Sequence, residues 1–542
     1  MYMRSSRKVK RPLRDLEVNI IYRNPLKVIS RIAFIYPSLY QVMLTSLATD
    51  LIYHIVNSRE DVYLERFYSL KLVDDEKDPR SIETDSPLRD FDLYISSISY
   101  ELDIVNLINI LEAGGIDPFR KRRDKPLVVG GPGVMSNPIP FADIVDVFII
   151  GEIEDTLNEV IDLWIENKDD KKRFLEEVAE LEYVYVPDFK ESAVRRYVKN
   201  LDSAFYPIKQ IENLEIEPVY GRGIKLELSR GCKFWCSFCG ETRLFQPYRE
   251  RGYERLKEIV EEGLRYTISG KRVILYTLLI PASKNQLKFL EYLANEGFKA
   301  SIPSIRLDTL FLYSDDFFEL VKKLGQRTLT VAPESFLFKL HRIYMKYLSN
   351  ENILIEHIKD IINKGFDLKI YLIYGSKWET TEDVKRNIEY IKQIYRYAKE
   401  KKRRISISLN PLIPKPKTVF QWLGMRALED LEEMLNLYIK ELRGLVDTRP
   451  LDIRWAYAQA FISMANKPLG NLLVRWSRSG RRINALINLL MNLKDSQIIE
   501  IIYNGYKYGE VLPWDRVIIG ESVEEVTAKQ YEAIVSLIGR LL

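Results

Sequence analysis

Apolar and polar positions change rhythm many times along this chain. Short apolar runs bounded by turn residues alternate with stretches where apolar residues recur every three or four positions. The first pattern predicts buried strands and the second predicts amphipathic helices. In the first third this gives a strand over 31–36 (RIAFIY), a helix from about Leu44 to Asn57, a strand over 92–98, a helix over 102–113, and strands over 126–130 and 145–150. Strands separated by helices predict an α/β fold, here a doubly wound parallel sheet over 31–165 behind an N-terminal extension, 1–30.

Residues 166–220 are charged and without a sustained period, which predicts a connector with some strand content. The alternation then resumes, with strands over 223–228, 272–277, 299–302, 327–331, 368–373 and 404–409. Helical patterns fall between them, over 253–264, 285–295, 315–323, up to 363, and 381–399. Six βα units predict a partial (β/α)6 barrel over 221–428 rather than a second flat sheet. From 429 to 542 the pattern is mainly helical.

Composition changes this picture little. A hydrophobic fraction of 46% with 29% charged residues is ordinary for a globular protein, and no apolar run is long enough to span a bilayer. The start, MYMRSSRKVKRPLRDLEV, lacks the apolar core of a secretory signal, so a cytoplasmic protein is expected. With 81 basic and 77 acidic residues the charge balance does not announce a nucleic-acid partner. Basic runs at 119–125, 399–404 and 475–482 can touch phosphate, although solvated helix ends and loops explain such runs more often. Scarce His with abundant Ile, Lys, Glu, Arg and Tyr resembles the composition of heat-adapted organisms.

Cysteine usage is far more specific. The chain has three cysteines, Cys232, Cys236 and Cys239, in one CxxxCxxC directly after the strand expected at 223–228. That spacing excludes a disulfide scaffold. Three thiolates leave one iron of a cubane cluster without a protein ligand, and an open iron is a site for chemistry. The alternatives are a zinc site missing its fourth ligand, or free thiols. The nearest histidine in sequence is the distant His341, which disfavours zinc. Gly231 and Gly240 let the loop curl, and Phe234, Trp235 and Phe238 can wall a cluster from water. In the first unit, Gly130-Gly131-Pro132-Gly133 and Gly151-Glu152 follow strands at the end where such sheets bind ligands, though tight strand-exit turns explain such glycines at least as often.

The stretch LELSRGCKFWCSFCGETR resembles the radical SAM superfamily, named for S-adenosylmethionine (SAM). The resemblance implies that Cys232, Cys236 and Cys239 ligate a 4Fe-4S cluster, that Phe238 stands against the adenine of SAM, and that SAM is cleaved reductively to a radical. From about residue 30 to the end, blocks such as VVGGPGVMSNPIPFADIVDVFIIGEIED, TLTVAPES, NPLIPKPKTVFQW and LPWDRVIIG resemble radical SAM proteins that carry an N-terminal cobalamin-binding-type domain. By that resemblance Arg306, Glu334, Gly375 and Glu379 line the SAM pocket, and Gly130 and Gly131 mark the cofactor edge of the N-terminal domain. Two departures stand out. The first strand is not followed by Asp-x-His-x-x-Gly, and His54 lies inside a helical pattern, so cobalamin either binds without a histidine ligand or only the fold is kept. The second barrel strand ends YTLLIPAS, not Gly-Gly-Glu, so the methionine amine needs other contacts.

A ferredoxin- or flavodoxin-like electron donor is implied. With cobalamin the expected outcome is methyl transfer to an unactivated carbon; without it, hydrogen abstraction followed by bond formation, rearrangement or sulfur insertion. RNA is the first expectation for the substrate, gripped by Arg475, Arg478, Arg481 and Arg482 and the LPWD loop. The alternatives are carbon–carbon bond formation on archaeal membrane lipids, and a non-catalytic iron-sulfur or cobalamin sensor.

Overall fold

A computed structural model of the chain describes residues 12–539 apart from 74–76, 311–313, 347–349 and 493–495, so the first eleven residues of the expected N-terminal extension lie outside it. The contacts form two units. One comprises Met1–Leu226, Glu258–Ile274 and Pro468–Ala485; the other comprises Glu227–Lys257, Leu275–Lys467 and Leu486–Leu542.

The first unit is built on a six-stranded sheet in the order Val62–Ser69, Ser30–Leu39, Leu93–Ser97, Leu127–Gly130, Val147–Ile149 and Val184–Tyr185. Ile32, Ala33, Phe34 and Ile35 are all fully buried, as expected for a strand covered on both faces. Five strands are parallel. The sixth, from the expected connector, runs antiparallel to Val147–Ile149, so the predicted parallel sheet is a mixed one. Sequence reading passed over Val62–Ser69 because Glu65 and Arg66 interrupt its apolar run. Both are buried, Glu65 against Arg31 and Ser81, and Arg66 between Glu17 and Glu83. The helix expected from Leu44 begins at Leu47 and runs to Asn57, because the Ser46 side chain accepts the Thr49 N–H and caps it, and a separate short helix, Tyr40–Met43, precedes it. Since the first strand in sequence lies inside the sheet, between the second and third, the winding reverses beside it, and open α/β sheets hold ligands at such reversals.

In the second unit a parallel four-stranded sheet joins Thr328–Glu334, Asp367–Tyr374, Ile405–Pro411 and Asp447–Pro450 in that order. The last strand falls in a stretch expected to be helical; its sequence, DTRP, has no apolar run to announce it. Burial alternates along the two central strands. Leu368, Ile370, Leu372, Ile407 and Leu409 are buried, while Lys369, Tyr371, Ser406, Ser408 and Asn410 are half-buried on the other face. Helices Glu351–Asn363, Thr381–Glu400 and Leu428–Leu442 accompany this sheet. An isolated parallel bridge pairs Ile305 with Val331. Lys299–Ser301 belongs to a further three-stranded sheet with Ile224–Glu227 and Arg272–Tyr276.

Candidate cluster site

The strand Ile224–Glu227 leads into the cysteine loop, which ends in the short helix Gly240–Leu244. Gly231 makes the turn possible. Its φ is +77°, and a Cβ there would come within 2.5 Å of the Phe245 carbonyl oxygen. Gly240, by contrast, has open space around it. Ser237 anchors the middle of the loop, with its hydroxyl donating to the Ile343 carbonyl at 2.7 Å and its N–H to the Tyr344 carbonyl at 3.1 Å.

The three thiols are free and close to one another. Arg306 Nη1 donates to Cys236 Sγ at 3.0 Å and its guanidinium lies 3.9 Å over the Phe234 ring. The Thr242 hydroxyl donates to Cys239 Sγ at 3.4 Å, and the Phe234 N–H to Cys232 Sγ at 3.5 Å. Burial pushes the Cys239 thiol up to about 11, with Cys236 beside it adding to the rise, and burial also raises Cys232. Among the described residues, no three His, Cys, Asp or Glu side chains converge as ligands of one metal ion. Three soft sulfur donors ringed by N–H and O–H groups and walled by Phe234, Tyr248, Leu279 and Ala282 fit an iron-sulfur cluster in donor type and in surroundings.

The expected SAM-pocket residues have distinct surroundings. Phe238 packs edge-on against Tyr344, with centroids 5.6 Å apart. Glu334 adopts φ +65°, a left-handed conformation costing about 1–2 kcal/mol, and is paired with Lys346 at 3.0 Å. Glu379 is 1% exposed and accepts the Gly375 N–H at 2.7 Å, so it braces its own loop. Burial pushes its carboxyl up to about 7. Gly375 has φ +83° and faces Leu431 so closely that no Cβ fits. Sequence reading missed Thr242, Lys346, Arg243 and Gln530, all of which touch the loop or its neighbours. Only Thr242 and Arg243 carried a signal, by following the last cysteine directly.

In the first unit, Gly131 has φ +102°, and a Cβ there would lie 2.5 Å from the Ile98 carbonyl oxygen, so this glycine serves close packing of two strand-exit loops. Gly130 has ordinary room. At the winding reversal, burial pushes Asp103 up to about 7, helped by Glu101, and Tyr36 up to about 12, helped by Asp103. Sequence reading singled out none of these three. All three histidines of the chain, His54, His341 and His357, sit in helices.

The basic runs are part buried and part exposed: 399–404 is exposed throughout, whereas Arg120, Arg123 and Arg481 are buried. Arg120 is bound to Asp188 and Arg123 to Asp146. Of the four arginines expected to grip RNA, Arg481 is 1% exposed and donates to Asn106, and Arg478 pairs with Glu112. Arg475 and Arg482 are exposed. No helix among the described residues is long and apolar enough to cross a membrane.

Residues 226–391 match the radical SAM superfamily, and residues 48–187 match the family of N-terminal regions of radical SAM proteins. An uncharacterized protein of Methanocaldococcus jannaschii is 29% identical over 400 residues, 73% of this chain and 80% of that one. Two similar solved structures are the radical SAM methyltransferase TsrM from Kitasatospora setae, with cobalamin and a 4Fe-4S cluster bound, and the cobalamin-dependent SAM radical enzyme OxsB with aqua-cobalamin bound. TsrM is 12% identical, covering 70% of this chain and 72% of its own at a TM-score of 0.46. OxsB is also 12% identical, covering 95% of this chain and 80% of its own at a TM-score of 0.48. By the two family matches, the second of which contains the cysteine loop, the chain belongs to the radical SAM superfamily and carries that superfamily's N-terminal domain.

Proposed function

We propose that this protein holds a 4Fe-4S cluster on Cys232, Cys236 and Cys239 and cleaves SAM reductively to modify an unactivated position of its substrate. The observation that carries the reading is three free thiols on one loop, Cys236 under the Arg306 guanidinium and Cys239 and Cys232 beside the Thr242 hydroxyl and the Phe234 N–H as further donors. When bound, the cluster supplies the single electron that breaks the sulfonium–carbon bond of SAM. We read the three- and four-stranded sheets as arcs of a partial (β/α)6 barrel. Its inner face would carry the half-buried Lys369, Tyr371, Ser408 and Asn410, whose polar groups suit a polar ligand. Arg306 would orient the carboxylate of SAM, Phe238 would flank its adenine, and the aromatic wall would keep water and stray hydrogen donors from the radical.

For the first unit we favour a cobalamin-type ligand at the winding reversal. Asp103, whose carboxyl burial raises to about 7, can present an O–H donor there, and Gly130 leaves room beside the strand ends. With that ligand the reaction is methyl transfer. RNA as substrate rests on the exposed Arg475, Arg478 and Arg482, since Arg481 is buried against Asn106.

The test is anaerobic reconstitution with iron and sulfide, then dithionite and SAM, with chromatography for 5′-deoxyadenosine and S-adenosylhomocysteine. The intact chain should take up the cluster and form deoxyadenosine, and the triple Cys232→Ala, Cys236→Ala, Cys239→Ala variant should do neither. Added homocysteine product on supplying cobalamin would support methyl transfer. An iron-loaded chain that forms neither product would favour the sensor. RNA binding that is indifferent to salt and to Arg475→Ala with Arg482→Ala would remove RNA as the substrate.

A further inference from the structure

Arg243 is a fully buried guanidinium with neutral hydrogen-bond partners. Its Nη1 donates to the carbonyls of Cys236 and Cys239, the second at 3.1 Å, and its Nη2 donates to Gln530 Oε1 at 2.6 Å. Its Nε has no partner. The ionisable groups that bear on it are Cys239 and Cys236, which favour the cation only as thiolates. A cation taken out of water without a counter-charge is strongly disfavoured, so a fold that buries one here implies an anion at the cysteines. The thiolates of an assembled cluster are that anion.

Gln530 makes the arrangement specific. It lies on the helix Glu521–Ile538, far along the chain, and donates from Nε2 to the Trp235 carbonyl at 2.6 Å while accepting from Arg243. One amide side chain therefore ties together the front of the cysteine loop and the helix behind it. The helix is itself fixed, since the Thr527 hydroxyl donates to the Lys417 carbonyl at 3.2 Å and Lys417 pairs with Glu524 at 3.0 Å.

We propose that Arg243 and Gln530 are positioning residues for the cluster: Gln530 clamps the cysteine loop to the C-terminal helix, and Arg243 holds a fixed positive charge against the cluster. This rests on the reading that the three cysteines bind a cluster. A fixed cation in a poorly screened site stabilises the more negative, reduced state and so raises the midpoint potential. Neither residue needs to touch SAM to do this.

The test uses the full chain, reconstituted anaerobically with iron and sulfide and titrated redox-wise by electron paramagnetic resonance without SAM. Arg243→Gln should titrate at a more negative potential than the parent, and Arg243→Lys should stay close to it. Gln530→Leu keeps the charge but frees the loop. It should broaden the resonance of the reduced cluster and, in the metal-free chain, speed amide hydrogen exchange over residues 232–239 several-fold. Arg243→Gln that carries the parent's iron content and titrates at the parent's potential would overturn the electrostatic role. Gln530→Leu with unchanged resonance and unchanged exchange would overturn the clamp. If Arg243→Gln does not fold, Arg243→Lys decides on the potential: it keeps the charge, so a midpoint displaced well away from the parent's refutes the role. A parent chain that takes up no iron refutes the cluster reading and the charge role with it, while exchange in the metal-free chain still decides the clamp.

Discussion

Arg306 reaches Cys236 Sγ at 3.0 Å while its guanidinium lies 3.9 Å over the Phe234 ring, so one side chain touches both a cysteine of the CxxxCxxC loop and the aromatic wall beside it. A hydrogen bond from a charged donor contributes about 1.5–3 kcal/mol. If Arg306 also orients SAM, Arg306→Gln should lower deoxyadenosine formation by roughly ten- to a hundredfold, with the iron content unchanged. An unaltered rate at saturating SAM would remove Arg306 from the site.

Gly130 and Gly131 should respond oppositely to the same substitution. Gly131→Ala forces a side chain into a left-handed backbone against the Ile98 carbonyl, so it should destabilise the chain by about 2–4 kcal/mol in urea unfolding. Gly130→Ala, whose Cβ meets nothing nearer than 3.7 Å, should change stability by less than about 1 kcal/mol. Equal effects would mean that the close packing of the two loops is not as described.

Glu379 gives stability a pH dependence. Its folded carboxyl, pushed by burial to about 7 from an ordinary value of 4.5, keeps a proton that the unfolded chain releases. Its contribution is therefore full below about 4.5 and is lost as pH rises to about 7. Melting temperature against pH should show a decline over that window that flattens in Glu379→Gln. Parallel curves for the two proteins would contradict it. Asp383 and Arg426, which also face Glu379, are present in both proteins and cancel in the comparison.

Arg481 should behave as a core residue. Arg481→Ala leaves Asn106 without its donor, at a cost of about 1–3 kcal/mol, whereas Arg482→Ala on the exposed side should cost less than about 0.5 kcal/mol. Thermal unfolding of the two variants distinguishes them, and equal stability would place Arg481 at the surface.

The sequence by itself determined the α/β alternation, most of the strands and the cysteine loop. Each is written in local signals: apolar runs flanked by turns, and CxxxCxxC with no other cysteine in the chain. Only the tertiary structure decided the rest, because the residues concerned depend on partners far away in sequence. Val62–Ser69 is a strand despite Glu65 and Arg66, since Arg31, Glu17 and Glu83 neutralise them in the interior. Asp447–Pro450 pairs only because Ile405–Pro411 presents an open edge to it. Arg481 reads as a surface charge in RWSRSGRR, yet it is buried against Asn106 from a distant segment. Gln530 has no local feature that marks it, and its place against Arg243 and Trp235 follows from where the last helix packs. Periodicity reports which face of an element is apolar; which charges are paired once that face is covered is settled only by packing.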